Sequence, residues 1–185
     1  MTISEYVDAL GEATGHGWGF LAAYGLTWAL CGVLWWRSSP RVAAYATLFQ
    51  GMVALPLALG LTALTPGPPR PVLDGMESLT ILLSSGQLLA LPVVIYLVAS
   101  KRYTTVPLAM VIVLVVHFAP YSWLYGTPLY LVMGAAVSVG AVIATARSTG
   151  EPDQGSERAG STGAGRVALT TGAVLLVSAA IAWLL

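Results

Sequence analysis

The chain has few of the residues on which soluble domains depend. Charged residues make up 9% of its 185 residues, against about a quarter in a typical soluble domain. The net charge is zero, so no nucleic-acid partner is expected. A single cysteine, Cys31, excludes an internal disulfide and a cysteine-based metal cluster. The chain is 57% hydrophobic with a mean hydropathy of +0.80, which indicates a protein solvated by lipid.

The short motifs of common catalytic sites are also missing. The sequence contains no glycine-rich phosphate loop, no HExxH, no GxSxG and no aspartate-rich DDxxD motif. With one lysine and no aspartate pair, a diphosphate–magnesium site is not expected. We therefore expect no bound metal.

Long apolar runs predict the fold. A transmembrane helix needs about 20 predominantly apolar residues, and six stretches qualify: 17–36, 41–64, 76–99, 104–120, 126–146 and 167–185. Residues 2–14 have apolar side chains at helical spacing and acidic ones on other faces, which predicts a short amphipathic helix on the outer surface. The predicted fold class is all-α: one polytopic membrane domain, 1–185, built as a six-transmembrane-helix bundle.

Basic residues are divided unequally between the loops on the two sides. One side holds Arg37, Arg41, Lys101, Arg102, Arg147, Arg158 and Arg166, and the other holds only Arg70. Because positively charged loops stay in the cytoplasm, both termini are predicted outside. The predicted location is the bacterial inner (cytoplasmic) membrane, with the polar, Gly/Ser-rich residues 148–165 as a mobile cytoplasmic loop.

The third predicted span carries a polar stripe. Asp74, Glu77, Thr80, Ser84 and Gln87 recur at offsets of three and four, and polar groups that face lipid are costly. The stripe is therefore expected to face the bundle interior or a wet cavity. Asp74 and Glu77 also match a helix capping box, so a purely structural role for them stays open.

Polar and aromatic residues from other spans are candidates for the same site. Gln50 lies near the middle of the second span, and Tyr24 and Trp28 share a face of the first. Prolines such as Pro56 and Pro92 are expected to kink their helices and open space between them. The connection after the fourth span supplies further aromatic residues, which could equally form an ordinary interfacial belt: His117, Tyr121, Trp123, Tyr125 and Tyr130.

Three features carry a resemblance to a known family. They are Phe49-Gln-Gly-Met52 running on to Pro56, Glu77 at the start of the third span, and Leu124-Tyr-Gly126 followed by Tyr130. Together they resemble a family of small bacterial six-helix membrane proteins of unassigned function, over roughly residues 20–145.

The size, helix count and acid-plus-aromatic pattern are more loosely similar to the integral-membrane terpene cyclases of natural product biosynthesis. That resemblance implies a cofactor-independent isomerase reaction. A carboxylic acid protonates a farnesyl-type prenyl chain on a lipophilic substrate, rings close through carbocations, and a base removes the last proton. Glu77 is the candidate general acid, with Asp74 as its partner and His117 as the final base. The candidate substrate-binding residues are Tyr24, Trp28, Gln50, Ser84, Gln87, Tyr121, Trp123 and Tyr125.

Two other function classes stay open. A small-molecule transporter or channel subunit would need a continuous polar path through the membrane. A non-catalytic membrane partner protein would present a face of small residues, such as Gly134 and Gly140 on the fifth span. The expected partners are a lipophilic small-molecule substrate and membrane lipid, and the sequence leaves the oligomeric state open.

Overall fold

The computed structural model describes residues 1–149 and 156–185 of the protein, and all regular structure within them is helical. The α-helices of this part of the chain are α1 (Ile3–Thr14), α2 (Trp18–Arg37), α3 (Pro40–Phe49), α4 (Gly51–Ala63), α5 (Met76–Ser85), α6 (Leu91–Ala99), α7 (Val106–Phe118), α8 (Tyr121–Leu124), α9 (Leu129–Thr149) and α10 (Ser156–Leu184). Short 3₁₀ turns occupy Gly15–Gly17, Gly86–Ala90 and Tyr103–Thr105. The predicted all-α class is confirmed for the described residues.

Several helical stretches are long and apolar enough to cross a membrane. Among the described residues there are five of them, or six if the bent pair α3–α4 is counted as one span. The five are Ile3–Arg37, Met76–Ala99, Tyr103–Leu124, Leu129–Ser148 and Gly160–Leu184. Their length and composition are consistent with a membrane protein.

The closest packing lies between α2 and α10. A Cβ atom added to Gly172 of α10 would lie 2.7 Å from the backbone nitrogen of Ala29 and 2.9 Å from the carbonyl oxygen of Gly25. Only glycine allows two helix backbones to approach this closely. Leu175, one turn further along α10, is fully buried. These two helices therefore form the core against which α4, α7 and α9 pack.

A kink at Gly15–Gly17 separates the N-terminal helix α1 from α2. Thr2 caps α1 through a capping box with Glu5, and Tyr6, Val7 and Leu10 are buried. Gly15, His16 and Gly17 all have positive φ angles, of 53°, 50° and 76°. The Tyr130 hydroxyl donates a 2.7 Å hydrogen bond to the carbonyl oxygen of His16 and so ties this corner to α9. α1 therefore packs its apolar face on the rest of the protein.

Two of the apolar stretches are interrupted midway. α3 and α4 meet at Gln50 with a bend of 40°, while Pro56 lies inside α4 without ending it. This bend lies one to two turns before Pro56, at Gly51, because glycine favours the helix less than the apolar residues around it. In the stretch Met76–Ala99, here called the arm, the 3₁₀ turn Gly86–Ala90 separates α5 from α6, whose first turn contains Pro92.

The prediction of a mobile loop over residues 148–165 is wrong for most of this segment. α9 continues to Thr149 and α10 begins at Ser156, while residues 150–155 lie outside the described part. The glycines that suggested mobility serve close packing instead. A Cβ atom at Gly165 would lie 2.6 Å from the Trp36 Nε1 atom, and one at Gly160 would lie 3.1 Å from the Thr104 side chain. Tertiary contacts thus outweigh the low helix propensity of glycine here.

Candidate functional site

The two interrupted stretches border a cavity of about 310 Å³. Its walls come from α2, the α3–α4 junction, the 3₁₀ turn Gly86–Ala90, α6 and α7. The lining is mostly apolar and includes Leu48, Phe49, Met52, Leu91, Val94 and Phe118. A cavity of this volume falls at the lower end of the range of small-molecule pockets, about 300–1,000 Å³.

Four residues predicted to bind substrate meet at this cavity. Tyr24 and Trp28 reach it from successive turns of α2, Gln50 from the α3–α4 junction, and Gln87 from the 3₁₀ turn of the arm. The Gln87 side chain interacts with the Tyr24 hydroxyl, which also lies beside Gly51. Each helix interruption therefore supplies one amide side chain to the cavity wall.

Aromatic rings connect the cavity to the loop that follows α8. Tyr24 packs edge-on against Phe118, with ring centroids 5.9 Å apart, and Phe118 contacts both His117 and Tyr121. Tyr121 in turn lies 5.9 Å from Tyr125 by ring centroids. Burial raises the pKa of Tyr125 above its usual range, and the neighbouring Tyr121 raises it further. We call these five rings, together with that of Tyr130, the aromatic column.

The arm meets the aromatic column at three of the predicted residues, Ser84, His117 and Tyr121. The Ser84 Oγ and Tyr121 Oη atoms are 3.4 Å apart, while Ser84 also donates a 2.7 Å hydrogen bond to the Thr80 carbonyl oxygen. His117 is half-buried, lies against the backbone of Leu83, and has a buried Nδ1 atom with no hydrogen-bond partner among the described residues. Ser84, His117 and Tyr121 thus form a separate group that is not part of the cavity lining.

The two candidate acids do not line the cavity. Asp74 and Glu77 are both exposed at the start of the arm. The capping box predicted for them is wrong, because α5 begins at Met76, its N-cap residue is Gly75, and no side chain caps the helix. Glu77 lies in the first turn, where the helix dipole favours a carboxylate. Within the described residues, no Asp or Glu lines the cavity and no three His, Cys, Asp or Glu side chains cluster as metal ligands would.

The remaining predicted residue, Trp123, lies elsewhere. Its side chain is exposed and borders a shallow groove between α1 and α8 that also includes Val7 and Asp8. Trp123 and the cavity residues are therefore on different surfaces of the protein.

Sequence reasoning expected kinks at Pro56 and Pro92 but missed the positions of the two breaks, Gln50–Gly51 and Gly86–Ala90, and most of the apolar lining. The signal for the first interruption was present, since Gln50-Gly51 places a polar residue and a poor helix former inside an apolar run. The apolar lining residues carried no signal, because Met110 or Leu114 resembles any other apolar residue of a membrane span. Only the packing of five separate segments selects them.

Fold and cavity together define a class of protein: an all-helical chain with apolar, membrane-length helices and an internal cavity at their interruptions. A comparison with known protein families matches residues 3–152 to a family of unknown function, DUF7010. The chain belongs to this family, which confirms the resemblance to a family of unassigned function. No curated protein and no solved structure matches the chain, and no similarity to terpene cyclases is found.

Proposed function

We propose that this protein binds a neutral, lipophilic small molecule in the cavity at the two helix interruptions. The observation that carries the proposal is the lining, which is largely apolar but includes two glutamine side chains, a tyrosine and a tryptophan. Ligand pockets commonly combine apolar walls with a few polar groups that orient the ligand. Interrupted membrane helices recur at binding sites, because a break frees backbone and side-chain groups at a depth where lipid offers no partners.

The lining also favours a neutral ligand. Among the described lining residues there is no Asp, Glu, Lys, Arg or His, so a charged ligand would lose its hydration without gaining an ionic partner. The arm offers a route from the lipid, because Leu88 lines the cavity while 56% of the residue's surface is exposed.

A cavity-filling substitution tests this proposal. Ala90 lines the cavity from the 3₁₀ turn, so Ala90→Phe should fill the space and abolish binding of farnesol and of the related hydrocarbon farnesene. Ala136→Phe is the matched control, because it adds the same bulk on an exposed face of α9. Binding is measured by native mass spectrometry of the purified protein in detergent. Equal binding by the wild type and Ala90→Phe, or none by the wild type, would contradict the proposal.

The acid-initiated cyclase stays a prediction from the sequence. Protonation of a prenyl chain needs a carboxylic acid in contact with the alkene, and Glu77 and Asp74 are not among the cavity-lining residues. The geometry therefore supports binding more directly than it supports catalysis. A cyclised farnesyl product that is lost in Glu77→Gln would establish the cyclase, and the transporter and partner alternatives likewise stay predictions.

We also propose the bacterial inner membrane as the location, with both termini outside, which the division of basic residues between the loops supports. In a Cys31→Ala background, Val72→Cys and Ser100→Cys each place one exposed thiol in a loop, and the proposed orientation puts these two loops on opposite sides of the membrane. A membrane-impermeant maleimide added to intact cells should label Val72→Cys and leave Ser100→Cys unlabelled. The reverse pattern would invert the orientation.

A further inference from the structure

Two buried polar atoms on the cavity-lining side chains have no hydrogen-bond partner among the residues that the structure describes. They are Nε1 of Trp28 and Oε1 of Gln50, in side chains that are only 1% and 5% exposed. Both residues line the same cavity. A buried polar group without a partner destabilises the protein, so native structures rarely leave one unless a ligand, water or ion completes it.

Comparable groups nearby are satisfied. The Trp18 indole donates to Thr65 Oγ1 at 2.9 Å, and the Trp35 indole donates to Thr47 Oγ1 at 3.1 Å. The other lining amide, Gln87, has the Tyr24 hydroxyl as its neighbour. Missing partners are therefore not a general property of indoles or amides in this protein.

The chemistry of the two atoms selects a class of ligand. An indole N–H can only donate a hydrogen bond, and an amide oxygen can only accept one. A hydroxyl group does both, because its oxygen accepts from Trp28 while its hydrogen is donated to Gln50. An ether oxygen could satisfy Trp28 alone, and a hydrocarbon could satisfy neither.

We infer that the ligand of this cavity is a lipophilic alcohol, held by Trp28 and Gln50 through its hydroxyl group. This inference rests on the proposed function. The apolar wall formed by Leu48, Leu91 and Val94 takes the hydrocarbon part of the ligand. The hydroxyl group supplies the partners that the two side chains lack.

Three probes with one hydrocarbon skeleton test the inference: farnesol, farnesyl methyl ether and farnesene. The wild type should bind farnesol about five- to tenfold more tightly than the ether, and the ether more tightly than farnesene by a similar factor, since each step removes one hydrogen bond. Gln50→Leu should bind farnesol and the ether equally. Trp28→Phe should bind the ether and farnesene equally.

Trp35→Phe is the matched control for Trp28→Phe. It makes the same substitution in another buried indole of α2, one that does not line the cavity, so the order of the three probes should be unchanged. Binding of every probe is followed by native mass spectrometry of the full chain in detergent.

Thermal unfolding without a probe supplies a second, independent readout. Gln50→Leu should raise the Tm, because it removes an unpaired buried acceptor while keeping similar volume. Trp28→Phe should lower the Tm less than Trp35→Phe does, because only Trp35 also loses a hydrogen bond, to Thr47. A lowered Tm in Gln50→Leu would overturn the assignment of Gln50 as unpaired.

The outcomes separate the two proposals. If the wild type binds none of the probes, the proposed function itself fails. If all three probes bind with equal affinity, and neither Gln50→Leu nor Trp28→Phe changes this, the cavity recognises only the shape of the ligand. An alcohol is then excluded as the ligand class. If the ether binds as tightly as farnesol, and Trp28→Phe weakens both equally, the ligand class is a hydrogen-bond acceptor and not an alcohol.

Discussion

The helix α10 and the arm Met76–Ala99 are both apolar, yet they differ greatly in how much of their surface other helices cover. In the most apolar window of Gly160–Leu184, 44% is buried inside the protein, compared with 11% for the arm. Lipid removes the hydrophobic drive between helices, so close contact depends on surfaces that fit. Glycines such as Gly172 provide that fit in α10, whereas Leu82 and Leu89 project from the arm.

The difference bears on the cavity, because the sparsely packed arm forms one of its walls. Segments with few buried contacts open at a low free-energy cost. A cavity enclosed on one side by α2 and on the other by the arm therefore combines a rigid wall with a wall that can move. The following substitutions test this contrast, in order of decreasing effect.

The largest effect is expected for leucine truncation. Leu175→Ala in α10 should lower the free energy of unfolding by about 2–5 kcal/mol, because it leaves a void in a fully buried site. Leu89→Ala in the arm should change it by less than about 0.5 kcal/mol, since 85% of that side chain is exposed. Thermal or denaturant unfolding in detergent measures both. Equal losses of unfolding free energy in the two variants would contradict the difference in packing between α10 and the arm. They would indicate that the arm is covered by another protein molecule.

Glycine-to-alanine substitutions give the next largest difference. Gly172→Ala brings a Cβ atom to 2.7 Å from the backbone nitrogen of Ala29, and backbone atoms cannot move aside cheaply. We expect a loss of about 1–3 kcal/mol. Gly86→Ala in the arm meets nothing within 4 Å and should be neutral or slightly stabilising. A stable Gly172→Ala protein would show that α2 and α10 can separate without cost.

Two hydroxyl deletions compare the polar contacts of the two regions. Tyr130→Phe removes the 2.7 Å hydrogen bond to the His16 carbonyl oxygen and should lower the free energy of unfolding by about 1 kcal/mol. Ser84→Ala removes only the 3.4 Å contact between the arm and Tyr121, together with a bond within its own helix. Its effect should stay below about 0.5 kcal/mol in the same unfolding assay. A larger effect of Ser84→Ala would mean that this contact holds the arm in place.

The smallest effect at neutral pH is expected from Tyr125, which belongs to the packed part of the molecule. Its pKa is raised by burial, so the unfolded state releases this proton at lower pH than the folded state does. The contribution of the protonated Tyr125 side chain to the free energy of unfolding is complete below the ordinary tyrosine pKa of 10.0. It is lost as the pH rises above that value. Tyr125→Phe should therefore reduce the fall in Tm between about pH 9 and about pH 11. An unchanged fall would assign alkaline unfolding to other groups.

Part of the candidate site could be predicted from the sequence. Tyr24, Trp28, Gln50 and Gln87 stand out because polar or amphipathic side chains are rare in apolar spans, and all four line the cavity. The same reasoning also selected Glu77 and Trp123, which lie away from it. A polar residue near the end of a span has access to water, so its presence there does not require a cavity.

By itself, the sequence determined that the protein is all-helical and apolar enough to cross a membrane, because hydropathy and helix propensity act over a few neighbouring residues. The tertiary structure alone decided that the residues from Ser156 onwards join α10 and which polar groups meet. Gln50 and Gln87 are distant along the chain and reach one cavity because helix packing brings their interruptions together. The same packing leaves Trp28 Nε1 and Gln50 Oε1 without a partner among the described residues, since pairing depends on the whole surroundings of an atom.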